Sequence, residues 1–302
     1  MGRPAKCIQA PPLPVRGGVA PSYLWLGEEA TGPALAFLVA RFPDVGQAVW
    51  ESRMARGDVV DADGTPVTPA TALERGMRLW YYREIDAEPA IPFREQILFR
   101  DEHLLVVDKP HFVPTTPGGR FLHESLLVRL KLATGVSELV PIHRLDRETA
   151  GVVLFSLREE SRGAYQTLFQ KRLVRKVYEA LAAPLPERVF PFIHRSRMVE
   201  GTPFFRMREE EGEPNSETLV DVIEQRGSPA LYRLQPLTGR KHQLRVHMAS
   251  IGAPIVNDSF YPDALPEGAD DYARPLKLLA RAIAFDDPLT GQRRSFESLR
   301  TL

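Results

Sequence analysis

The sequence has a single cysteine, Cys7, among its 302 residues. One cysteine excludes an intrachain disulfide, and its position near the N-terminus argues against a structural metal site. The chain also lacks an apolar run close to the about eighteen residues of a membrane-spanning helix, and its N-terminus lacks the apolar stretch of a signal peptide. We therefore expect a cytoplasmic protein with no membrane partner and no bound metal.

The sequence also lacks an excess of charge of either sign, because it has 39 basic and 39 acidic residues and its formal net charge is zero. A global basic field therefore cannot attract a polyanion. The basic side chains nevertheless form local clusters, namely Lys171-Arg172 with Arg175-Lys176, Arg195 with Arg197, and Arg240-Lys241 with Arg245. Acidic groups collect elsewhere, at residues 209–211 and 270–271. This segregation is compatible with RNA binding and equally with an ordinary solvated surface.

The segment HRLDRETAG, residues 143–151, places a carboxylate in a basic setting. Asp146 lies between Arg144 and Arg147 and shortly before the strand-like run 152–155. Guanidinium groups within reach favour the charged form of a carboxylate, so Asp146 is a candidate catalyst. The alternative is that its side chain only satisfies backbone groups in a turn.

The segment TGRKHQLRVH, residues 238–247, concentrates hydrogen-bond donors where a strand should give way to a helix. Gly239 supplies the turn, and we expect the helix to begin near Lys241. Backbone N–H groups of a first helical turn, together with arginine side chains, form a site for an anion or phosphate. The alternative is a basic, solvated helix face.

A third segment, residues 174–181, has the pattern of a strand. Its two-residue period puts Lys176 and Tyr178 on the same face. Such a pair can hold a nucleic-acid backbone and stack on a base, although a strand tyrosine is more often a packing residue.

The order HRLDxxT-small-G, KxY and TGRxHQLR resembles the RluA class of pseudouridine synthases, which isomerise uridine in ribosomal or transfer RNA. The resemblance covers roughly residues 95–300 and includes Asp108-Lys109-Pro110 and residues 252–255. Ala150, Ala253, Asn257 and Leu279 depart from the usual residues of the class. None of these departures removes the catalytic set.

The resemblance implies a role for several side chains. Asp146 is then the catalytic aspartate, Tyr178 lies against the target uracil, and Arg240 pairs with the aspartate. Arg144 then lies beside the target nucleotide and helps to occupy the space that the base vacates, since a base must leave its stack before chemistry. Further residues expected to bind substrate RNA are His143, Arg175, Lys176, His242, Gln243 and Arg245. The reaction needs no metal or redox cofactor, and whether the aspartate attacks the sugar, attacks the base or removes a proton stays open.

The N-terminal part predicts a flexible tail over residues 1–22 and a small αβ domain over residues 23–85. Apolar residues at helical spacing from Leu35 to Phe42 predict one helix, and a second is expected from Asp44 to Arg56. An Asp-Gly hairpin at residues 58–67 and a strand at 77–82 follow. Together these elements resemble a divergent S4-type RNA-binding domain, and a plain packing subdomain is the alternative.

Residues 86–95 are expected to form a linker, and residues 96–302 the catalytic domain. We expect strands at 103–108, 151–157 and within 218–238, and helices at 122–132, 161–170 and 241–251. Strands and helices mix without regular βαβ alternation, so the predicted class is α+β with a mixed, largely antiparallel sheet.

Other functions are compatible with parts of this pattern. A non-catalytic RNA-binding or RNA-chaperone protein would use the same basic clusters. A zinc hydrolase using His242 and His247 lacks an HExxH pattern, and a glycosidase using Asp146 and Glu148 lacks two carboxylates on one face. The pattern therefore favours an enzyme acting on structured RNA, and we expect a monomer.

Overall fold

The computed structural model describes residues 11–85, 87–225, 227–265, 268 and 270–302. The chain divides between Glu88 and Pro89 into two compact units. This division lies within the segment 86–95 that the sequence predicts as a linker. Each helix in the described part of the chain is too short or too polar to cross a membrane.

The first unit contains two helices and a three-stranded sheet. Its elements are β1 (Ser22–Trp25), α1 (Ala34–Arg41), α2 (Gln47–Ala55), β2 (Val59–Val60) and β3 (Arg78–Tyr81). The antiparallel sheet has the order β1-β3-β2, and Leu38 and Trp50 of the helices are fully buried in its core. The second helix begins at Gln47 with Gly46 at the N-cap position, two residues after the expected cap at Asp44.

Residues 11–21 differ from the flexible tail that the sequence predicts. Leu13 packs with Val60, Trp80 and Tyr82 in a buried cluster. The Tyr82 hydroxyl donates a 2.6 Å hydrogen bond to the carbonyl of Pro14. Residues 11–21 are therefore held against the sheet of the first unit by an apolar contact and a hydrogen bond. Residues 1–10 of the predicted tail lie outside the described residues.

The second unit begins with two strands of a large sheet and continues with strands and helices in irregular succession. Its elements are β4 (Gln96–Arg100), β5 (Leu104–Lys109), α3 (Leu126–Thr134), β6 (Val140–Pro141), β7 (Ala150–Ser156), α4 (Glu159–Gln170), β8 (Arg175–Ala182), β9 (Phe192–Glu200), β10 (Met207–Glu210), β11 (Ser216–Glu224), β12 (Ala230–Pro236), α5 (Gln243–Ser250), β13 (Leu278–Asp286) and β14 (Arg293–Glu297).

These strands form an eleven-stranded sheet with the order β10-β9-β11-β12-β8-β13-β7-β5-β4, with β14 paired to β13 and β6 to β7. Among the described strands, β13 and β7 pair in parallel and the other pairs are antiparallel. The predicted α+β class with a mixed, largely antiparallel sheet is confirmed.

The parallel pair requires a glycine at the start of β7. Gly151 has a φ of +116°, and a Cβ at this position would overlap the backbone of Ala280 in β13. A larger residue would therefore push β7 away from β13. Because the loop that carries Asp146 leads directly into β7, this close approach holds the loop at the centre of the sheet.

Candidate active site

The backbone around Asp146 is fixed by buried side chains. The Thr115 hydroxyl donates to the carbonyl of Leu145 at 2.8 Å and lies 3.2 Å from the N–H of the same residue. On the other side of Asp146, the buried ammonium of Lys109 donates to the carbonyl of Arg147 at 3.1 Å. The carboxylate is therefore presented from a loop that is held at both flanking residues.

Lys109 belongs to the Asp-Lys-Pro motif at the end of β5, and its side chain is completely buried. Its ammonium also donates to the carbonyls of Pro110 and Val113, at 3.0 and 2.8 Å. Burial lowers the pKa of Lys109 to about 7, against the opposing attraction of nearby acidic groups. The motif thus has a structural role, because one side chain binds three backbone carbonyls and joins the segment after β5 to the Asp146 loop.

Arg245 is the arginine whose charge faces Asp146. Its Nη1 lies 3.7 Å from Asp146 Oδ2 and 3.5 Å from Glu148 Oε2. Its Nε and Nη2 donate to both carboxylate oxygens of Asp258, at 2.8 and 2.6 Å. Burial opposes the charge of Arg245, but Asp258, Asp146 and Glu148 outweigh it and raise the pKa of the guanidinium. The guanidinium is therefore a permanent cation beside the catalytic candidate.

The prediction that Arg240 pairs with Asp146 is corrected by this arrangement. Arg240 is exposed in the loop before α5, and its Nε donates to the carbonyl of Asn215 at 3.3 Å. In the described part of the chain no ion pair joins Arg240 to Asp146, whereas Arg245 lies on the helix face that meets the aspartate. The predicted contact of Arg245 with RNA is corrected as well, because its guanidinium is buried and bound to carboxylates.

His242 lies against Asp146 in the N-cap position of α5. Its φ of +56° turns the ring inward, so that Nε2 lies 3.9 Å from Asp146 Oδ2. Its Nδ1 lies 2.9 Å from the hydroxyl of Tyr261. Burial lowers the pKa of His242, although the charge of Asp146 opposes this. The imidazole is thus a buried neighbour of the carboxylate rather than an exposed RNA contact.

Gln243 is buried and its amide is bound to protein groups, so its predicted contact with RNA stays a prediction. Its Oε1 accepts from the Thr238 hydroxyl at 2.7 Å and from the Arg240 N–H at 3.0 Å. Its Nε2 donates to the Glu217 carbonyl and to the Thr218 hydroxyl, both at 3.0 Å. These bonds occupy the amide and tie the loop before α5 to strand β11.

Lys176 and Tyr178 lie on one face of β8, as the strand period predicts, and both line the same space. The Lys176 ammonium donates to the carbonyl of Thr238 at 3.0 Å, and burial, assisted by the charge of Arg172, lowers its pKa to about 8. Burial and then the charge of Asp146 raise the pKa of Tyr178, so its phenol stays protonated. The ring is therefore a neutral, apolar wall beside the carboxylate.

His143 is a packing residue in this structure. Its ring stacks on Phe169 at 4.7 Å and 21°, and its Nε2 accepts a 3.2 Å hydrogen bond from the N–H of Leu154. Burial, with a smaller effect of Lys176, lowers the pKa of His143 to about 3. One edge still borders the larger cleft described below, but the hydrogen bond to Leu154 gives the ring a structural role.

Two adjoining hollows meet at Asp146. A cavity of about 110 Å³ adjoins an open cleft of about 900 Å³. Both are lined by Arg144, Asp146, Lys176, Tyr178 and Arg240. The small cavity has the carboxylate, the tyrosine ring and the base of the Arg240 loop as walls, and the larger cleft leads from it to solvent.

The larger cleft has a basic rim. Its lining includes Arg144, Arg172, Lys176, Arg240 and Lys241, and within the described ranges none of these forms an ion pair with a carboxylate. Arg175 is exposed on β8 near Arg172 but lies outside the described lining of both hollows. The rim therefore offers uncompensated positive charge to a polyanion.

The cluster at Arg195 and Arg197 is different, because acidic partners compensate it. Arg195 pairs with Glu217 at 2.7 Å and Arg197 with Glu210 at 3.0 Å. Of the three basic clusters in the sequence, those at residues 171–176 and 240–241 supply the cleft.

Several residues that shape the site carry no signal in the sequence motifs. Asp258 binds Arg245 bidentately but lies in an irregular loop outside the three motifs. Thr115 follows a Val-Pro pair with no visible relation to Asp146. Glu148 was visible as a neighbour of the aspartate, but its partner Arg245 comes from a distant segment.

Comparisons with known proteins identify relatives of this chain. The profile of the RNA pseudouridylate synthase family matches residues 103–250. A dual-specificity RNA pseudouridine synthase RluA of Vibrio vulnificus is 33% identical over 215 residues, which cover 68% of this chain and 83% of the relative. An uncharacterized RNA pseudouridine synthase of Synechocystis is 29% identical over 240 residues, covering 77% and 80%.

Two human structures share the fold. Human RNA pseudouridylate synthase domain containing 4 is 26% identical with a TM-score of 0.55, covering 68% of this chain and 88% of that one. Human RNA pseudouridylate synthase domain containing 1 is 25% identical with a TM-score of 0.57, covering 71% and 86%.

Proposed function

Because this chain belongs to the RluA class of RNA pseudouridine synthases, we propose that Asp146 is the carboxylate with which it isomerises specific uridines of ribosomal or transfer RNA. The enzyme is an isomerase. One observation carries the assignment of Asp146: among the described residues that line the two hollows, it is the single carboxylate.

The reaction breaks the bond between uracil N1 and ribose C1′, turns the base and joins C5 to C1′. The proton at C5 is lost and N1 gains one, so the nucleotide has the same atoms before and after. The detached uracil must stay in place and water must be kept out. The small cavity lined by Tyr178 and Arg240 is proposed to hold the detached uracil.

Arg245 and His242 position the carboxylate in this proposal. Arg245 is anchored by Asp258 and cannot follow the substrate, so its charge stays directed at Asp146. His242 is held by Tyr261 and limits the rotation of the carboxylate on the other side. A catalytic group held by buried, hydrogen-bonded neighbours loses little entropy when the substrate arrives.

Tyr178 and Arg144 are proposed to handle the flipped nucleotide. Tyr178 is uncharged, lies next to Asp146 and presents an aromatic face on which a uracil can stack. Arg144 is exposed at the mouth of both hollows, where a guanidinium can occupy the space that the base leaves. The basic rim, with Arg175 beside it, is proposed to bind the phosphates on either side.

The first unit, residues 23–85, is proposed to act as an S4-like RNA-binding domain. Its exposed face carries Tyr23 and Trp25, and the Arg78 guanidinium lies 4.0 Å from the Trp25 ring centre. Exposed aromatic rings interleaved with arginine are typical of surfaces that stack on unpaired bases. We further propose that the enzyme is a cytoplasmic monomer, and that the RNA is chosen by its folded shape.

The test is a map of pseudouridines in ribosomal and transfer RNA from cells that lack this protein. The cells are supplied with the wild type or with Asp146→Asn, which keeps the shape of the side chain. We expect a site to vanish and the wild type alone to restore it. In vitro, the variant should lose at least about 100-fold in turnover while RNA affinity changes little. Retained turnover would remove Asp146 from the chemistry.

A further inference from the structure

A second constellation of ligand-forming side chains lies outside the two hollows. His194 of β9, Glu209 of β10 and His247 of α5 place one ligand atom each within 4.8 Å of one another. Glu209 Oε1 lies between the two rings, 2.8 Å from His194 Nε2 and 3.9 Å from His247 Nε2. Three separate elements thus converge on one point.

The chemistry of this donor set is that of a transition metal. Two imidazole nitrogens and one carboxylate oxygen suit Zn²⁺, Co²⁺ or Ni²⁺, whereas Mg²⁺ and Ca²⁺ prefer oxygen ligands alone. Burial, and then the charge of His194, lowers the pKa of His247 to about 4, so its ring is neutral near pH 7. Burial alone would raise the pKa of Glu209, but hydrogen bonds from His194 and Ser196 and the nearby imidazoles lower it.

We propose that His194, Glu209 and His247 bind one divalent first-row transition ion, Zn²⁺ in the cell, with water completing the coordination. The His194 and Glu209 side chains are 20% and 22% exposed, so an ion and its water can enter. The buried His247 is oriented by the Thr218 hydroxyl, 2.9 Å from its Nδ1. A hydrogen bond at the second ring nitrogen is the usual support of a metal-bound histidine.

Metal binding would replace the contacts that His247 Nε2 makes with two serine hydroxyls, and both serines keep other partners. His247 Nε2 lies 3.0 Å from the Ser216 hydroxyl and 3.2 Å from that of Ser196, and coordination replaces these contacts. The Ser216 hydroxyl keeps its 2.8 Å donation to the Ser196 carbonyl. The ring needs only to carry its proton on Nδ1, towards Thr218, so that Nε2 is free to bind. No buried hydroxyl in this group of residues is then left without a partner.

A metal ion at this position would stabilise the packing of three elements against one another. It joins the β9–β10 hairpin to α5, and the first turn of α5 carries Arg245 against Asp146. An ion that binds the folded protein and not the unfolded one stabilises it by mass action. The isomerisation itself proceeds at Asp146 and requires no ion.

The test uses the untagged, full-length protein after removal of metal with a chelator. Zn²⁺ is titrated in competition with a chromophoric chelator, Co²⁺ binding is followed by its visible absorption, and the melting temperature is measured with and without Zn²⁺. We expect one equivalent to bind the wild type and to raise the melting temperature. Glu209→Gln and His194→Asn should weaken Zn²⁺ binding at least about tenfold and remove the thermal shift.

The matched control is Glu210→Gln, which removes the neighbouring carboxylate of the same strand, where Glu210 pairs with Arg197 and Arg208. It should bind Zn²⁺ as the wild type does. Glu209→Gln keeps the size and hydrogen-bonding capacity of the side chain, and circular dichroism verifies its fold. If the wild type takes up no Zn²⁺, or if Glu209→Gln binds it as tightly as Glu210→Gln does, the three groups are only a hydrogen-bonded network.

Discussion

At the scale of single residues, the roles of the two arginines in the TGRKHQLR segment are opposite to expectation. Arg245 is buried and directs its charge at Asp146, whereas Arg240 is exposed and forms part of the cleft wall. Both are five-donor cations, so their chemistry cannot distinguish them. Their burial and their partners distinguish them, because Asp258 forms an ion pair with the arginine that α5 places next to it, which is Arg245.

The first prediction separates these two arginines. Arg245→Met leaves Asp258 as a buried carboxylate without its cation and removes one of the two arginines that pair with Glu148, so it should lower the free energy of unfolding by about 3–5 kcal/mol and abolish turnover. Arg240→Met should change stability by no more than about 0.5 kcal/mol, because its side chain is exposed. Urea unfolding measures both variants. A larger loss of stability in Arg240→Met than in Arg245→Met would contradict the assignment.

At the scale of elements, the active site is the meeting point of a loop, a strand and a helix start. The loop before β7 supplies Asp146, β8 supplies Tyr178, and α5 supplies His242 and Arg245. The turn between β12 and α5 has to be held so that the helix enters at the correct angle. Gln243 does this by bonding the turn on one side and β11 on the other.

The second prediction concerns that buried amide. Gln243→Leu preserves approximate volume but leaves several buried donors and acceptors unpaired, at about 1–3 kcal/mol for each group. We expect a loss of at least about 2 kcal/mol in the free energy of unfolding and a lower turnover number. Gln96→Leu on the exposed face of β4 is the control and should have little effect on either. Equal losses in the two variants would show that the amide network does not position α5.

At the scale of the whole molecule, positive and negative charges balance in number but are segregated in space. The formal net charge is zero, yet positive side chains without acidic partners border the cleft. Elsewhere the positive charges are compensated by ion pairs within the protein, as in the pairs of Arg147 with Asp270 and Arg195 with Glu217. The protein can therefore attract RNA locally without a global field.

The third prediction tests this distribution through the salt dependence of RNA binding. Replacing Arg172, Arg175 and Lys241 by alanine should reduce the slope of log affinity against log salt by about 2, since each phosphate contact on a single strand contributes about 0.7. The slope is measured by fluorescence titration of single-stranded target RNA. Arg195→Ala, whose charge is already paired, should leave the slope nearly unchanged. An unaltered slope in the triple variant would place the RNA elsewhere.

The fourth prediction concerns the histidines whose pKa is lowered in the folded protein, of which His111 and His143 are both partly buried. Burial lowers the pKa of His111 to about 4 and of His143 to about 3. Between about pH 6.5 and pH 4 the unfolded chain therefore binds more protons than the folded one, and stability is lost as pH falls. Each histidine contributes a slope of up to about 1.4 kcal/mol per pH unit.

Urea unfolding between pH 7 and pH 5 measures this slope above the range in which most carboxylates titrate. His111→Gln keeps a donor for the carbonyl of Glu148, which His111 Nδ1 contacts at 2.6 Å, and it removes one titrating group. The slope should then fall by up to about 1.4 kcal/mol per pH unit, which is the contribution of this one histidine. A variant with the slope of the wild type would mean that His111 does not titrate differently in the two states.

Local sequence patterns predicted much of the fold. The helices α1, α4 and α5 and the strands β5, β7, β8, β11 and β12 all overlap the segments expected for them, because periodicity and turn residues act over a few neighbours. Strands β9, β13 and β14 were not assigned in advance. Strands β9 and β14 carry many charges on partly exposed residues, so that long-range pairing rather than composition makes them strands, whereas β13 is mostly apolar and buried.

The sequence by itself determined the family, the reaction and the aspartate that we propose performs it, because three motifs in order identify residue types that chemistry requires. Tertiary structure alone decided which cation faces Asp146, that Gln243 and His143 are structural, and that His194, Glu209 and His247 meet. These facts depend on segments far apart in the chain, and on burial, which sets the cost of leaving a charge or an amide unpaired. Such a cost is a property of the packed molecule, and no local pattern encodes it.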